Sequence, residues 1–124
     1  NCPGRALARE HVAAGNPVWS YRFSQLTQQG RASDLGVFHA SEMPFVFGTL
    51  DVFYNNPTDE ERALSELMGE LWVSFAVTGS PSVDARAWPA YMLGPDNHLE
   101  LLTPSAMVDQ PYEGRCDFWA QFGF

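Results

Sequence analysis

The chain has 124 residues, which is the size of one small domain. Its hydrophobic fraction of 45% excludes a disordered segment, and no apolar run approaches the roughly 20 residues that span a bilayer. The net charge is −8 and Lys is absent, which argues against nucleic acid and anionic membrane surfaces as partners.

A helix, a strand and a loop are predicted in the first third of the chain. Residues 2–14 are predicted to form a helix, with Pro3 in the first turn and Gly15 as the C-terminal stop. A strand is predicted over 18–23, where β-branched and aromatic residues alternate with other types. The polar segment 24–35 is predicted to be a loop. The chain begins without Met or a signal-peptide pattern, which suggests a processed or cut end.

The longest predicted helix covers residues 58–78. It begins with a capping box at Thr58 and carries acidic residues in its first turn. Gly79 is the expected stop. An apolar stripe at i, i+3, i+4 spacing comprises Leu64, Leu67, Met68, Leu71, Trp72 and Phe75. A stripe of this size must be covered by a large apolar surface.

The last third of the chain is predicted to contain a hairpin and a helix. Strands are expected over 88–93 and 99–102, joined by turn-forming residues at 94–97. A terminal helix is expected over 112–122. The chain does not obviously supply a partner for the strand at 18–23, and strands do not stay unpaired. This pattern favours a fragment whose sheet is completed by another segment.

The two cysteines, Cys2 and Cys116, lie near opposite ends of the chain. Their spacing does not fit a zinc site, which takes ligands in close pairs. Two buried free thiols and one long-range disulfide both remain open at this point.

Residues 36–48 contain His39, the candidate catalytic side chain of the chain. Imidazole titrates near neutral pH and can therefore act as both base and acid. The alternative is a structural histidine held by hydrogen bonds in a loop. A metal site at His39 and Glu42 would need further ligands. His11 and His98 are expected on a helix surface and in a turn, so neither a metal nor a cofactor is predicted.

The stretch 36–48, which reads GVFHASEMPFVFG, resembles the histidine segment of the type B carboxylesterases, the cholinesterase-like branch of the α/β-hydrolases. Further segments match this family in the same order. They are Cys2-Pro3, Gly15–Phe23, Trp72–Pro81, Trp88-Pro89-x-Tyr91 and Cys116–Trp119. The resemblance implies an α/β fold in which residues 1–124 form the C-terminal portion of a single α/β-hydrolase domain. A missing N-terminal portion would complete the sheet.

The resemblance also implies roles for particular residues. His39 would be the histidine of a Ser-His-Glu/Asp triad that hydrolyses a carboxylic ester. The triad order places the serine and the acid upstream of Asn1. Glu42 lies too close to His39 in sequence to be the acid, and is expected to hold the loop through hydrogen bonds or an Arg partner. Cys2 and Cys116 would form a disulfide, which implies a secreted or periplasmic protein.

The expected partners are a small-molecule carboxylic ester and the N-terminal remainder of the same protein, with its serine, acid and oxyanion hole. The isolated chain is expected to be inactive and not to fold cooperatively. Ser41 and Arg31 stand where cholinesterases carry aromatic residues, which favours a general ester over a choline ester. Two alternatives are a non-catalytic adhesion or binding module of the same fold and an independent small secreted domain.

Overall fold

The computed structural model describes residues 2–83, 88–110 and 114–123. The elements in chain order are α1 (Cys2–Ala13), β1 (Tyr21–Phe23), α2 (Gln28–Ala32), α3 (Met43–Val46), α4 (Leu50–Phe53), α5 (Asp59–Thr78), β2 (His98–Leu101), β3 (Ala106–Val108) and α6 (Arg115–Ala120). The chain divides into two compact units. The first comprises 1–22, 88–100 and 107–124, and the second comprises 23–87 and 101–106. None of the described helices is both long enough and apolar enough to cross a bilayer.

The three strands form one mixed sheet in the order β1–β2–β3. The Leu99 N–H donates to the Ser20 carbonyl and the Ser24 N–H donates to the Leu101 carbonyl, both at 2.9 Å. These bonds advance in the same direction along both strands, so β1 and β2 are parallel. Residues 102–105 join β2 to β3. Because this connection is too short for a parallel crossover, β2 and β3 are antiparallel.

The hairpin lies later in the chain than predicted. Residues 88–93, all of which the structure describes, contain no strand, and the hairpin is formed by β2 and the unpredicted β3. Asn97 explains the difference, because its Oδ1 accepts from the Met92 N–H at 2.8 Å and its Nδ2 donates to the Ala90 carbonyl at 3.2 Å. A side chain thus satisfies backbone groups that a strand would pair. The strand at 18–23 does have its partner within the chain, so that expectation was wrong.

The two longer helices are confirmed. Helix α1 ends one residue before the predicted boundary, and Gly15 follows it with φ 83°. At the start of α5, Thr58 Oγ1 accepts from the Glu61 N–H at 3.1 Å, and the Glu61 carboxylate accepts from the Thr58 N–H at 2.8 Å. Gly79 ends α5 in the left-handed conformation, with φ 76°. Both termini of α5 therefore follow from local signals in the sequence.

The apolar stripe of α5 is buried within the second unit from Leu64 to Leu71. Its buried members are Leu64, Met68 and Leu71. Helix α5 packs against α3, whose Phe45 is 0% exposed. Phe75 at the other end of the stripe is 49% exposed. The chain therefore covers part of the stripe itself, and about half of the Phe75 side chain stays exposed.

The first unit is held together around α1. Cys2 and Cys116 form a disulfide with a Cα–Cα distance of 5.2 Å, which is the pairing that the resemblance implies. The Arg5 guanidinium binds the buried Asp96 carboxylate and, at 2.7 Å, the exposed Asp117 carboxylate. The hydrogen bond from Arg5 lowers the pKa of Asp117. Helix α6 lies within the predicted range 112–122, of which residues 112 and 113 are outside the described residues.

His98 differs from its expected setting. It lies in β2 rather than in a turn, and it is 2% exposed. Burial, together with the charge of Arg22, lowers the pKa of His98. The ring is therefore mainly neutral at pH 7. His11, by contrast, is exposed in the last turn of α1, as predicted.

Candidate active site

His39 lies in the connection between α2 and α3, and it is exposed. The next residue, Ala40, has φ 66°, a left-handed conformation that a residue with a Cβ seldom adopts. The Ser41 N–H donates to the Phe38 carbonyl and the Met43 N–H donates to the Ala40 carbonyl, both at 3.1 Å. His39 thus lies within the first of two successive tight turns, and its side chain is at the surface of the second unit.

Two buried hydroxyl groups hold the backbone that follows His39. Tyr54 Oη donates to the Ser41 carbonyl at 3.0 Å. Ser65 Oγ, on α5, donates to the Phe45 carbonyl at 2.7 Å. Tyr54 is 8% exposed and Ser65 is 7% exposed, so water competes little for either bond. Both acceptors are main-chain oxygens, and the two bonds fix the course of residues 41–45.

Tyr54 remains a hydrogen-bond donor over a wide pH range. Burial raises the pKa of Tyr54, and the negative charges of Glu61 and Glu42 raise it further. A phenol with a raised pKa stays protonated throughout the neutral range. The bond to the Ser41 carbonyl is therefore not expected to weaken near pH 7.

Glu42 lies three residues after His39, at the start of α3. Glu42 is half-buried, and its carboxylate makes no hydrogen bond or ion pair with any residue of the described ranges. Its backbone carbonyl accepts from the Phe45 and Val46 N–H groups at 3.0 and 3.1 Å, at the start of α3. Tyr54 and Ser65, rather than Glu42, supply the observed anchors. A structural role for the Glu42 carboxylate stays a prediction, as does the catalytic role of His39.

Sequence reasoning did not single out Tyr54 or Ser65. Ser65 had a detectable signal, because it is a polar residue directly after Leu64 on the buried face of an amphipathic helix. A buried serine needs a hydrogen-bond acceptor, although the sequence does not indicate which one. Tyr54 carries no comparable pattern.

Segment 24–35, predicted to be a loop, contains the short helix α2. Thr27 caps it, because Thr27 Oγ1 accepts from the Gly30 N–H at 3.0 Å. The helix was missed because it is only five residues long and contains a glycine. Gly30 is required by a close approach: the Gly36 N–H donates to the Gly30 carbonyl at 3.1 Å, and a Cβ on Gly30 would lie 2.7 Å from the Gly36 carbonyl oxygen.

The Gly30→Ala variant should be less stable than the parent protein by about 1–3 kcal/mol, as is typical of overpacking. The added methyl group must displace the Gly36 backbone, three residues before His39. This cost outweighs the helix-propensity gain of up to about 1 kcal/mol. Gly69→Ala is the matched control, because nothing lies within 4 Å of its Cβ position. Denaturant unfolding of both variants checks the prediction, and equal stabilities would contradict it.

Ser41 is the serine nearest to His39 in sequence, and it is poorly suited to be a nucleophile. It is 3% exposed, and its Oγ has no hydrogen-bond partner among the described residues. A nucleophile must be reached by the substrate, whereas this hydroxyl is enclosed and His39 is open. Within the described ranges, no group of three or more His, Cys, Asp or Glu side chains lies close enough to hold a metal ion.

The sequence model of the Carboxylesterase family matches residues 1–119, which is nearly the whole chain. The chain belongs to the carboxylesterase family. This confirms the family that residues 36–48 and the other matching segments indicated. The fold described above is accordingly a part of the α/β-hydrolase fold, as predicted.

This carboxylesterase chain is 42% identical over 90 residues to para-nitrobenzyl esterase of Bacillus subtilis, covering 69% of the chain and 17% of that protein. It is 35% identical over 126 residues to human carboxylesterase 5A, covering 94% of the chain and 22% of that protein. The crystal structure of carboxylesterase EST55 from Geobacillus stearothermophilus matches with a TM-score of 0.73 at 32% identity. The match covers 90% of this chain and 23% of that structure's chain. The chain thus spans about a fifth of the length of these relatives.

Proposed function

We propose that this chain supplies the catalytic histidine, His39, of a serine carboxylic-ester hydrolase. The observation that supports this proposal is an exposed imidazole on a backbone segment held by two buried hydroxyl groups, in a chain of the carboxylesterase family. His39 takes the proton from a serine Oγ as that oxygen attacks the ester carbonyl. It then gives the proton to the departing alcohol.

The other parts of the catalytic machinery come from the N-terminal remainder of the same protein. That portion supplies the serine, the acid of the triad and the oxyanion hole. The serine Oγ must approach within about 2.6–3.2 Å of a ring nitrogen of His39, and the exposed position of the ring permits this approach. The same remainder completes the sheet begun by the three strands.

Apolar side chains around His39 support the view that another segment covers this surface. Val37, Phe38, Met43 and Phe47 are between 39% and 66% exposed. Several exposed apolar side chains in one short segment are typical of a surface that is buried by a partner or lines a substrate pocket. In the whole protein these side chains exclude water from the reacting ester.

The substrate class is a small-molecule carboxylic ester. Arg31 is exposed in α2, and Ser41 is buried beside the histidine turn. Neither residue offers the aromatic face that binds a quaternary ammonium ion, and a positive charge at Arg31 would repel one if it faced the site. A general ester is therefore a better substrate than a choline ester. The Cys2–Cys116 disulfide supports a secreted or periplasmic location, because such bonds persist in oxidising compartments.

The full-length protein should hydrolyse p-nitrophenyl butyrate and should be labelled covalently by a fluorophosphonate probe at a serine outside these 124 residues. The isolated chain should do neither, because it lacks the nucleophile. Peptide mass spectrometry locates the labelled serine. Absence of both hydrolysis and labelling in the folded full-length protein would overturn the proposal and favour a non-catalytic binding module of the same fold.

A further inference from the structure

We infer that Tyr54 is a positioning residue for His39, acting through the main-chain carbonyl of Ser41. This inference rests on the proposed function. The Tyr54 hydroxyl donates to that carbonyl at 3.0 Å, with Tyr54 8% exposed and Ser41 3% exposed. A hydrogen bond enclosed in this way restrains its acceptor more strictly than one that water can replace.

The Tyr54–Ser41 hydrogen bond lies close to His39 in the chain, so it restrains the backbone that carries the imidazole. Ala40 lies between His39 and Ser41 and has the unfavourable φ of 66°. A residue held in a sparsely populated conformation relaxes unless its surroundings prevent it. Tyr54 holds the Ser41 carbonyl, which follows Ala40 in the chain. The bond from the Ser41 N–H holds the Phe38 carbonyl, which precedes His39. The backbone that carries the imidazole is thereby restrained on both sides.

Ser65 provides a second, more distant anchor. It lies on α5, which has 20 residues, and donates to the Phe45 carbonyl at 2.7 Å. This bond holds α3 against the long helix. It acts six residues beyond His39, whereas the Tyr54 bond acts two residues beyond it. The hydroxyl of Tyr54 should therefore matter more for the placement of the imidazole.

The Tyr54→Phe variant of the full-length protein tests this role, because it keeps the ring and removes only the hydroxyl. Its kcat for p-nitrophenyl butyrate should fall by about tenfold to a hundredfold, as expected when a reacting group is displaced by up to about 1 Å. KM should stay within about twofold, because the substrate-binding surface is unchanged. Ser65→Ala should lower kcat by a smaller factor.

Tyr91→Phe is the matched control. Tyr91 is 5% exposed, and its hydroxyl donates to the Asp96 carboxylate in the first unit. Both variants lose one buried hydroxyl group and should show a lower melting temperature, but only Tyr54→Phe should lose kcat. If Tyr54→Phe unfolds during assay at 25 °C, the kcat values of Tyr54→Phe and Tyr91→Phe are compared at 10 °C instead.

The outcomes separate this inference from the proposed function. If His39→Ala abolishes turnover while Tyr54→Phe and Tyr91→Phe have equal kcat, the positioning role of Tyr54 is wrong and the proposed function stands. If His39→Ala keeps its turnover, the proposed function itself is wrong. A selective loss of kcat in Tyr54→Phe, beside a fully inactive His39→Ala, supports both.

Discussion

Replacement of His39 by Ala in the full-length carboxylesterase should lower kcat for ester hydrolysis by about 10⁴-fold or more. On the proposed function, the variant has no group at this position that accepts the serine proton or returns it to the leaving alcohol. The residues of a triad act as a unit, so the remaining serine and acid cannot compensate. Stability should change little, because His39 is exposed and makes no side-chain hydrogen bond within the described ranges.

His11→Ala is the control for this experiment. His11 is also an exposed histidine, but it lies in the last turn of α1 in the first unit. Its removal costs at most a small interaction with the helix dipole and should leave kcat unchanged. Initial rates with p-nitrophenyl butyrate and the rate of fluorophosphonate labelling measure the difference. A His39→Ala protein that retains more than about a tenth of the parent kcat would rule out the proton-transfer role.

Removal of the disulfide is the change with the largest expected effect on stability. The double variant Cys2→Ser, Cys116→Ser opens a loop with a sequence separation of 114. In the chain-entropy model, closing a loop of this length stabilises the folded protein by about 4–5 kcal/mol. The Arg5–Asp117 ion pair also joins α1 to α6, but Asp117 is 56% exposed, so this contact adds little when the bond is lost.

Urea unfolding of the double variant and of the parent protein, each with and without reductant, measures this contribution. The reduced parent should unfold at the same urea concentration as the double variant, and reductant should not affect the double variant. A difference below about 1 kcal/mol between the oxidised parent and the double variant would contradict the prediction.

The elements that the sequence predicted well are those with local signals. Helix α5 has a capping box at Thr58 and a glycine stop at Gly79, and both lie within a few residues of the boundaries they set. Helix α2 and strand β3 are only five and three residues long, so local propensity is too weak to indicate them. The strand expected over 88–93 had suitable residues, but the Asn97 side chain occupies its backbone groups.

The candidate site also contains one residue that the sequence indicates and others that it does not. His39 could be found from the sequence because its neighbours form a recognisable family segment. Its anchors could not, since Tyr54 and Ser65 reach carbonyl oxygens that are 13 and 20 residues away in sequence. Every residue has a main-chain carbonyl, so the residue types do not indicate which carbonyl accepts a side-chain hydrogen bond. The burial of His98 was equally hidden, because it depends on the packing of β2.

The anchoring of the histidine segment through carbonyl oxygens has a consequence for protein engineering. Every residue type has a carbonyl. The hydrogen bonds donated by Tyr54 and Ser65 therefore do not require particular side chains at positions 41 and 45. Mutagenesis libraries at the exposed positions Met43 and Phe47 can therefore vary the surface of this segment while both backbone hydrogen bonds are kept. On the proposed function, acyl-chain preference can then be varied separately from the geometry of proton transfer.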